Sequence, residues 1–267
     1  MADYTYICRM SLELHLTKDQ SHTLYVPELD ETYHSRNGAL EEAMYVYIGR
    51  GLLDWLLLEE GRQSLVRGPQ LEENGFPNTN LPNETADCGL RTADSSRKKL
   101  SLLEVGFGTG LNAWLTAREA QKLGVYCVYH SLETVPLPLD LIGQLNYTKD
   151  ASEAHKDLFQ QLHQAEWNKN IEVAPNFTLT KWHVSLQDFT PSQTFDVIYF
   201  DAFAPEKQPE LWTKEIFQKL YDSLNENGVI VTYSSKGDVK RMWKEIGFEV
   251  ERLPGPPMKR HMLKGRK

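Results

Sequence analysis

Short apolar runs alternate with stretches of helical periodicity through the middle of the chain. The predicted strands are 102–105, 125–132, 177–186, 195–200 and 228–233, and the predicted helices between them are 113–122 and 151–168. Most of these strands are predominantly apolar, which is typical of strands buried on both faces of a parallel sheet. Strands that alternate with helices in this way predict an α/β fold with a mostly parallel sheet.

The N-terminal part of the chain has a different pattern. Loose alternation over 4–16 and a short run at 23–26, joined by a polar turn, predict a hairpin. Asn37 is placed to cap a helix over 39–48, and a second helical stretch follows at 52–59. These elements are expected to pack on the core as an extension.

The composition along the chain predicts three regions. They are an N-terminal hairpin with helices (1–60), a surface insertion rich in Pro, Asn, Gly and charge (61–99), and the core (100–267). Within the core, a helix over 238–246 and two strands, 248–252 and 259–264, are predicted to follow the parallel strands.

A glycine-rich turn follows the first strand of the predicted core. Gly106, Gly108 and Gly110 stand at alternate positions, and because glycine has no Cβ, such a turn lets a ligand approach the backbone closely. The dinucleotide fingerprint G-x-G-x-x-G would need glycine or alanine where Leu111 stands. With the acidic Glu104 just before it, the turn is similar instead to motif I of the S-adenosylmethionine (SAM) methyltransferases. An ordinary strand-to-helix loop is the alternative.

Acidic residues stand at or near the ends of two later strands. Glu133 ends the strand 125–132, 27 positions after Gly106, where a carboxylate can accept hydrogen bonds from ribose hydroxyls. Dehydrogenases and methyltransferases share this feature, so Glu133 predicts a nucleoside-containing cofactor without choosing between them. Asp188 follows 177–186, where its carboxylate or the adjacent backbone could bind an adenine amino group. Solvated surface positions are the alternative for both residues.

The strand 195–200 leads into Asp201 and a loop that contains two prolines. The prolines prevent a regular continuation of the strand, and Phe203 and Trp212 flank the loop. A carboxylate at the C-terminal end of a strand, with aromatic rings beside it, suits an amine substrate. Asp201 is therefore the candidate for orienting an amine or accepting its proton.

Two motifs carry a resemblance to a known family. Residues 106–112 (GFGTGLN) and 201–212 (DAFAPEKQPELW) resemble the methyltransferase module of the bifunctional tRNA 5-methylaminomethyl-2-thiouridine biosynthesis proteins, the MnmC family. The second motif is far more specific than the glycine turn. Further similar segments are 33–43, 162–163 together with Trp167, 232–241 and 253–260. The resemblance thus covers nearly the whole chain.

The resemblance implies a Rossmann-like α/β fold with a mostly parallel sheet of seven strands plus an N-terminal extension. It also implies an enzyme that uses SAM as its cofactor. The expected reaction is N-methylation of 5-aminomethyl(-2-thio)uridine at the tRNA wobble position, which gives 5-methylaminomethyl(-2-thio)uridine. The anticodon stem-loop of tRNA is then the expected partner, since its bases can be splayed apart at modest cost.

The motifs and the resemblance together assign the candidate site. The expected cofactor-binding residues are Glu104, Gly106, Gly108, Gly110, Asn112, Glu133, Asp188 and Asp201. Asp201 is also the expected catalytic residue, with Phe203 in the pocket wall. Tyr33 or His34 is expected to close the pocket from the N-terminal segment.

The chain departs from the family pattern in two places. The bifunctional proteins carry a second, FAD-dependent oxidase module, whereas this sequence ends at Lys267. A separate FAD-dependent oxidase that supplies the amine is therefore a candidate partner. His261 stands where the family more often has an acidic residue, which affects the expectation for local contacts and not for the fold.

The charge of the chain is unevenly distributed. The net charge is −8, yet residues 236–267 contain ten Lys and Arg against four Asp and Glu, a local excess of +6. A basic patch can hold phosphates whatever the overall sign. Candidate RNA contacts are Lys236, Lys240, Arg241, Lys259 and Arg260. A solvated basic tail is the alternative interpretation.

Other features of the sequence narrow the class of protein. Cys8, Cys88 and Cys127 are far apart, and the eight histidines lack ligand spacing, so neither a disulfide framework nor a metal site is expected. No apolar run has membrane-spanning length, and the N-terminus lacks a signal-peptide pattern. A cytoplasmic protein without a membrane partner is therefore expected.

Two further classes of function stay open at this point. A small-molecule amine methyltransferase or aminopropyltransferase on the same fold would need no basic face. A non-catalytic RNA- or SAM-binding protein would need neither Asp201 nor an intact glycine turn.

Overall fold

The computed structural model describes residues 11–59 and 98–267. The start of the predicted hairpin and nearly all of the predicted insertion lie outside these residues, as do Cys8 and Cys88. The described N-terminal segment opens with a small antiparallel sheet of three strands, β1 (Glu13–Leu16), β2 (His22–Val26) and β3 (Glu31–Thr32). The predicted hairpin is therefore present, and it has a short third strand.

The main sheet is formed by the rest of the strands. In chain order these are β4 (Lys99–Val105), β5 (Tyr126–Glu133), β6 (Asn170–Ala174), β7 (Phe177–His183), β8 (Phe195–Phe200), β9 (Leu224–Thr232), β10 (Glu249–Pro254) and β11 (His261–Arg266). Their order across the sheet is β10-β11-β9-β8-β4-β5-β7-β6. The five strands from β9 to β7 are parallel, whereas β11, β10 and β6 are added through antiparallel pairs.

The predicted number of seven strands is wrong by one. The additional strand is β6, which pairs with β7 at the edge of the sheet. Of its five residues only Val173 is buried, because an edge strand contacts the core through few side chains. Such a strand has no apolar run by which the sequence would indicate it.

The helices lie on both faces of the sheet. They are α1 (Ala39–Ala43), a π-helical stretch (Met44–Leu53), α2 (Asp54–Glu59), α3 (Leu111–Lys122), α4 (Leu139–Ile142), α5 (Glu153–Gln164), α6 (Lys214–Asp222) and α7 (Gly237–Ile246). The predicted helices of the core correspond to α3, α5 and α7, whereas α4 and α6 were not anticipated. The expected interruption between 48 and 52 is wrong, because the π-helical stretch joins α1 to α2 without a break.

The π-helical stretch packs tightly against the sheet. A Cβ at Gly51 would lie 2.6 Å from the ring of Tyr199 in β8, so glycine here serves a close approach of helix and strand. The predicted cap at Asn37 is also wrong, since Gly38 occupies the N-cap position and the helix has no side-chain cap. Tyr47, four residues before Gly51, also contacts β8, and its ring centroid lies 5.2 Å from that of Tyr199.

Two hydrophobic cores lie on the two faces of the sheet. Successive residues of a strand point to opposite faces, so Leu102 and Tyr199 belong to one core while the adjacent Leu103 and Ile198 belong to the other. Every one of these four side chains is completely buried. This arrangement fixes the positions of β4, β5 and β8, whose C-terminal ends meet at one edge of the molecule.

Candidate active site

The glycine turn after β4 is locked in place by neighbouring strands. Gly106, Gly108 and Gly110 all have positive φ, at 94°, 48° and 70°, a region that side chains other than glycine rarely adopt. The backbone N–H groups of Gly106 and Phe107 both donate to the carbonyl of Leu132 at 3.0 Å. A Cβ at Gly106 would lie 2.9 Å from the carbonyl oxygen of Asp201. The turn therefore fits closely between the ends of β5 and β8.

The other two glycines of the turn serve different neighbours. A Cβ at Gly108 would lie 3.0 Å from the ring of Tyr33, whereas a Cβ at Gly110 would lie 2.7 Å from Nε2 of His163 in α5. Gly106 and Gly108 line a cleft, and Gly110 does not. Gly110 packs against α5, and its contact with the cofactor stays a prediction.

The cleft has a volume of about 370 Å³ and lies beyond the C-terminal ends of β4, β5 and β8. This is the position at which ligands bind in open α/β sheets. It brings together most of the predicted site residues, which come from five segments of the chain. These are Tyr33, His34, Gly106, Gly108, Asn112, Glu133, Asp201, Phe203 and Lys259.

Glu133 is held rigidly at the end of β5. Its Oε2 accepts from the backbone N–H of Gly108 at 2.9 Å, and its Oε1 accepts from those of Thr134 and Val135, each at 2.8 Å. Burial raises the pKa of the carboxyl, and these three N–H donors act in the opposite direction. A carboxylate fixed in this way retains lone pairs for ribose hydroxyls.

Asp188 does not line the cleft. Its carboxylate accepts from the hydroxyl of Ser185 at 2.7 Å, and its backbone N–H donates to the same hydroxyl at 3.1 Å. These bonds form a local turn, and the side chain of Asp188 is exposed. Ser185 and Gln187 line the cleft from this segment instead, and the adenine contact expected at Asp188 stays a prediction.

Asp201 lies at the floor of the cleft and is only partly exposed. Its Oδ1 accepts from the hydroxyl of Tyr47 at 2.5 Å, and its Oδ2 accepts from Nδ2 of Asn112 at 2.8 Å. Burial raises the pKa of the carboxyl to about 7, although the Tyr47 hydrogen bond lowers it. Asp201 is therefore a much stronger base than an ordinary aspartate.

Glu104 lies behind this carboxyl and has no exposed surface. Its Oε2 accepts from the hydroxyl of Ser131 at 2.6 Å. Burial raises the pKa of Glu104 to about 8, and the charge of Asp201 raises it further. Because Glu104 is completely buried and lies outside the lining of the cleft, its predicted role in binding the cofactor would have to act through other residues.

Aromatic side chains close the cleft from the N-terminal segment. The rings of Tyr33 and Phe203 meet edge to face, with centroids 5.3 Å apart. The loop that carries Phe203 is fixed by its own contacts, since Nε1 of Trp212 donates to the Phe203 carbonyl at 2.8 Å. Tyr33 and Phe203, which were both expected to border the pocket, are thus in contact.

His34 ties the N-terminal segment to the glycine turn. Its Nε2 lies 2.7 Å from the hydroxyl of Thr109, which also accepts from Tyr147 at 3.3 Å. Burial lowers the pKa of His34 to about 4, and the charge of Lys259 acts in the same direction. The neutral imidazole therefore positions the turn through its hydrogen bond with Thr109, a role that the sequence did not reveal.

Lys259 was predicted to hold phosphates, and the structure places it in the cleft. Its ammonium pairs with the carboxylate of Glu42 and lies 4.4 Å from the centroid of the Tyr233 ring. Glu42 and Tyr233 also line the cleft, and neither belonged to the predicted site. A buried glutamate gives no signal in the hydrophobic pattern, so the sequence could not distinguish Glu42 from the less buried Glu41 beside it.

The other basic candidates lie outside the lining of the cleft. Lys236 pairs with Glu206, and Arg241 pairs with Asp238 on α7. Arg260 is exposed, and Lys240 is half-buried. The basic segment is therefore partly neutralised by acidic neighbours, and its contact with RNA stays a prediction.

The residues of the cleft fit SAM. Gly106 and Gly108 present backbone at the place that a Cβ would fill, and Glu133 offers a fixed carboxylate. Asn112 Oδ1 is buried and has no hydrogen-bond partner among the described residues. Across residues 11–59 and 98–267, no cluster of three potential ligands could hold a metal ion, and no helix is long and apolar enough to cross a membrane.

The chain is similar in sequence to known methyltransferases and tRNA-modification proteins. Residues 149–267 match the model of a family described as S-adenosyl-L-methionine-dependent methyltransferase. The chain is 28% identical over 256 residues to the tRNA 5-methylaminomethyl-2-thiouridine biosynthesis bifunctional protein MnmC of Paraburkholderia xenovorans, covering 91% of this chain and 33% of that protein. It is 26% identical to the protein of the same name from Hydrogenovibrio crunogenus, over 89% of this chain and 31% of the relative. The chain thus spans about a third of the length of these relatives.

A solved structure agrees with these sequence matches. The crystal structure of MNMC2 from Aquifex aeolicus superimposes with a TM-score of 0.68 at 20% sequence identity, over 96% of this chain and 70% of that one. This likeness confirms the predicted Rossmann-like fold. The family model and the curated relatives confirm the resemblance found in the sequence: the chain is similar to S-adenosyl-L-methionine-dependent methyltransferases over 149–267, and to part of the MnmC bifunctional proteins over most of its length.

Proposed function

We propose that this chain transfers a methyl group from SAM to the primary amine of 5-aminomethyl(-2-thio)uridine at the wobble position of tRNA. The product is 5-methylaminomethyl(-2-thio)uridine. The observation that carries the proposal is the Asp201 carboxyl, fixed by Tyr47 and Asn112 at the floor of the cleft and with its pKa raised to about 7. The names of the MnmC relatives, which refer to tRNA and to 5-methylaminomethyl-2-thiouridine, support the choice of acceptor.

The cofactor supplies an electrophilic methyl group on a sulfonium when it is bound. The chain would hold it with the backbone of Gly106 and Gly108, with the Glu133 carboxylate, and with Ser185 and Gln187 on the far side of the cleft. Such contacts orient the cofactor and exclude water from the place of reaction.

The acceptor must lose a proton before it can attack. An alkylamine has a pKa near that of lysine, about 10.4, so it enters the cleft mostly as an ammonium. The ionised Asp201 carboxylate can hold this ammonium, orient it, and accept a proton from it. Its raised pKa brings donor and acceptor closer in basicity than an ordinary aspartate would.

A nucleoside in an anticodon loop can reach a cleft of this size. Single-stranded loops let a base be splayed from its neighbours and placed among aromatic side chains, and Tyr33 and Phe203 provide such a wall. Because the acceptor already carries an aminomethyl group, another enzyme must produce it. We infer that a separate FAD-dependent oxidase fills this role where none is present on the same chain.

The direct test is methylation of tRNA that carries 5-aminomethyl-2-thiouridine. After incubation with SAM, mass spectrometry of the digested nucleosides should show one added methyl on this nucleoside. The Asp201→Asn variant should lose roughly two orders of magnitude or more in rate, with little change in SAM affinity. Asp157→Asn, an exposed aspartate on α5, is the matched control and should keep the wild-type rate.

Two outcomes would contradict the proposal. Near wild-type turnover by Asp201→Asn would remove Asp201 from the mechanism. Methylation of small free amines with none of tRNA would instead favour a small-molecule amine methyltransferase.

A further inference from the structure

Three residues from distant parts of the sequence meet at the end of the cleft near Asp201. Glu42 comes from α1, Tyr233 follows β9, and Lys259 lies between β10 and β11. The Lys259 ammonium pairs with the Glu42 carboxylate and lies 4.4 Å from the centroid of the Tyr233 ring. A carboxylate beside an aromatic face is the chemistry with which proteins bind alkylammonium groups.

Glu42 and Tyr233 are held in place by groups other than Lys259. Glu42 is only 7% exposed, and its Oε1 accepts from the backbone N–H of Ser35 at 3.2 Å. The hydroxyl of Tyr233 donates to the carbonyl of Ala202 at 3.0 Å. The carboxylate and the ring would therefore keep their arrangement if the lysine moved away.

Lys259 is more exposed to solvent than its partner Glu42. Its side chain is 31% exposed, compared with 9% for that of Glu42. A lysine ends a flexible four-carbon stem, and its ammonium is strongly hydrated. Its ammonium can therefore move into solvent when another cation takes its place beside Glu42.

The charges at this end of the cleft favour a second cation. Two carboxylates, Asp201 and Glu42, lie near one ammonium, that of Lys259. All three line the same cleft, and the charge of Glu42 raises the pKa of Asp201 whereas that of Lys259 lowers it. When the Asp201 carboxyl is ionised, the pocket carries an uncompensated negative charge.

We propose that the Glu42 carboxylate and the face of the Tyr233 ring form a binding subsite for the alkylammonium form of the acceptor, and that the Lys259 ammonium fills this subsite until the acceptor displaces it. The exchange of one ammonium for another leaves the Glu42 carboxylate paired throughout. The subsite also explains selection of an amine over a neutral group of the same size, because a hydroxymethyl group would leave Glu42 without a counter-ion. This inference rests on the proposed function, since it assigns that function's acceptor to a definite position.

The test compares two nucleosides that differ only in charge. Calorimetry in the presence of S-adenosylhomocysteine would measure the dissociation constants of 5-aminomethyluridine and of 5-hydroxymethyluridine, neither of which carries a phosphate. Lys259→Met should tighten binding of the aminomethyl nucleoside about tenfold and leave the hydroxymethyl nucleoside unchanged. Glu42→Gln should weaken the aminomethyl nucleoside about tenfold, again without effect on the other. Lys244→Met, at an exposed lysine of α7, should change neither value.

The inference is overturned if Lys259→Met leaves binding of 5-aminomethyluridine unchanged or weakens it, or if Glu42→Gln affects both nucleosides equally. If the first variants fold poorly, Lys259→Gln and Glu42→Asp replace them. Lys259→Gln should tighten binding of 5-aminomethyluridine, and Glu42→Asp should weaken it. Methylammonium chloride separates this inference from the proposed function. If methylammonium binds Lys259→Met more tightly than the wild type while neither nucleoside binds, the subsite stands and the uridine acceptor is wrong.

Discussion

The electrostatics behind the site can be tested at Glu104 by measuring how the free energy of unfolding depends on pH. The side chain is completely buried, and burial raises its pKa from 4.5 to about 8. A group whose pKa is higher in the folded than in the unfolded chain stabilises the fold below the unfolded pKa. This stability is lost as the pH rises through the folded pKa. Glu104 therefore lowers the stability of the wild type progressively between about pH 4.5 and pH 8.

Replacement by glutamine removes this titration with little change in shape. The amide oxygen can still accept from Ser131, and the amide nitrogen can donate to Asn112 Oδ1 or to the hydroxyl of Tyr129. Both of these atoms are buried without a hydrogen-bond partner among the described residues. One pKa unit corresponds to about 1.36 kcal/mol, so the shift between pH 4.5 and pH 7 corresponds to roughly 3 kcal/mol. The free energy of unfolding of Glu104→Gln minus that of the wild type should therefore be roughly 3 kcal/mol larger at pH 7 than near pH 4.5.

The assay is urea unfolding of both proteins at half-unit intervals between pH 5 and pH 8. The difference in the free energy of unfolding should grow by somewhat over 1 kcal/mol per pH unit. Glu172→Gln, at an exposed position of the edge strand β6, should leave the slope of the wild type unchanged. A difference between Glu104→Gln and the wild type that does not depend on pH would refute the reasoning. In that case the Glu104 carboxyl is solvated or paired by groups that the structure does not show.

Three further predictions concern the cleft and its surroundings. Gly108→Val should weaken SAM binding at least tenfold, about 1.4 kcal/mol, because the new side chain would press on Tyr33 at a positive φ. Gly124→Val shares the positive φ but has open space around its Cβ, and calorimetry showing equal affinities for the two variants would contradict this reason. Tyr47→Phe removes a hydrogen bond that lowers the pKa of Asp201, so the rise of kcat/KM with pH, expected near pH 7 in the wild type, should move to higher pH. An unchanged pH profile would show that Asp201 is not the titrating group. Alanine at both Lys236 and Arg260 should raise the dissociation constant of tRNA and reduce the magnitude of its salt slope by about one to two. Filter binding with an unchanged slope would make these residues a solvated surface.

The architecture of the core could be predicted because its signals are local. The apolar runs of β5, β8 and β9 are buried on both faces, and the glycine turn requires positive φ at three positions. These constraints act on neighbouring residues, so they leave a periodicity in the sequence. The edge strand β6 and the unbroken helical segment around Gly51 escaped prediction, since both depend on what another element presents to them.

The candidate site was predictable only in part, for a related reason. Asp201 and Glu133 stand at the ends of apolar strands, and that position alone indicates the cleft. Asp188 has similar surroundings in the sequence, but its carboxylate accepts a hydrogen bond from Ser185 and lies outside the lining of the cleft. The partners Tyr47 and Glu42 contact the site from distant helical segments, so no spacing in the sequence relates them to it.

The two halves of the cleft have different origins in the chain. The turn of Gly106 and Gly108, together with Glu133, belongs to the sheet, and it provides what a SAM-binding site needs in backbone and carboxylate. On the acceptor side, the N-terminal segment contributes Tyr33, Glu42 and Tyr47. His34 joins this segment to the glycine turn through Thr109, so a shift of the segment would move the acceptor wall and the cofactor turn together. Substitutions in residues 31–47 should therefore alter acceptor selection more than SAM affinity, except at His34, where both should change. Equal losses of SAM affinity at Glu42 and His34 would contradict this division of the cleft.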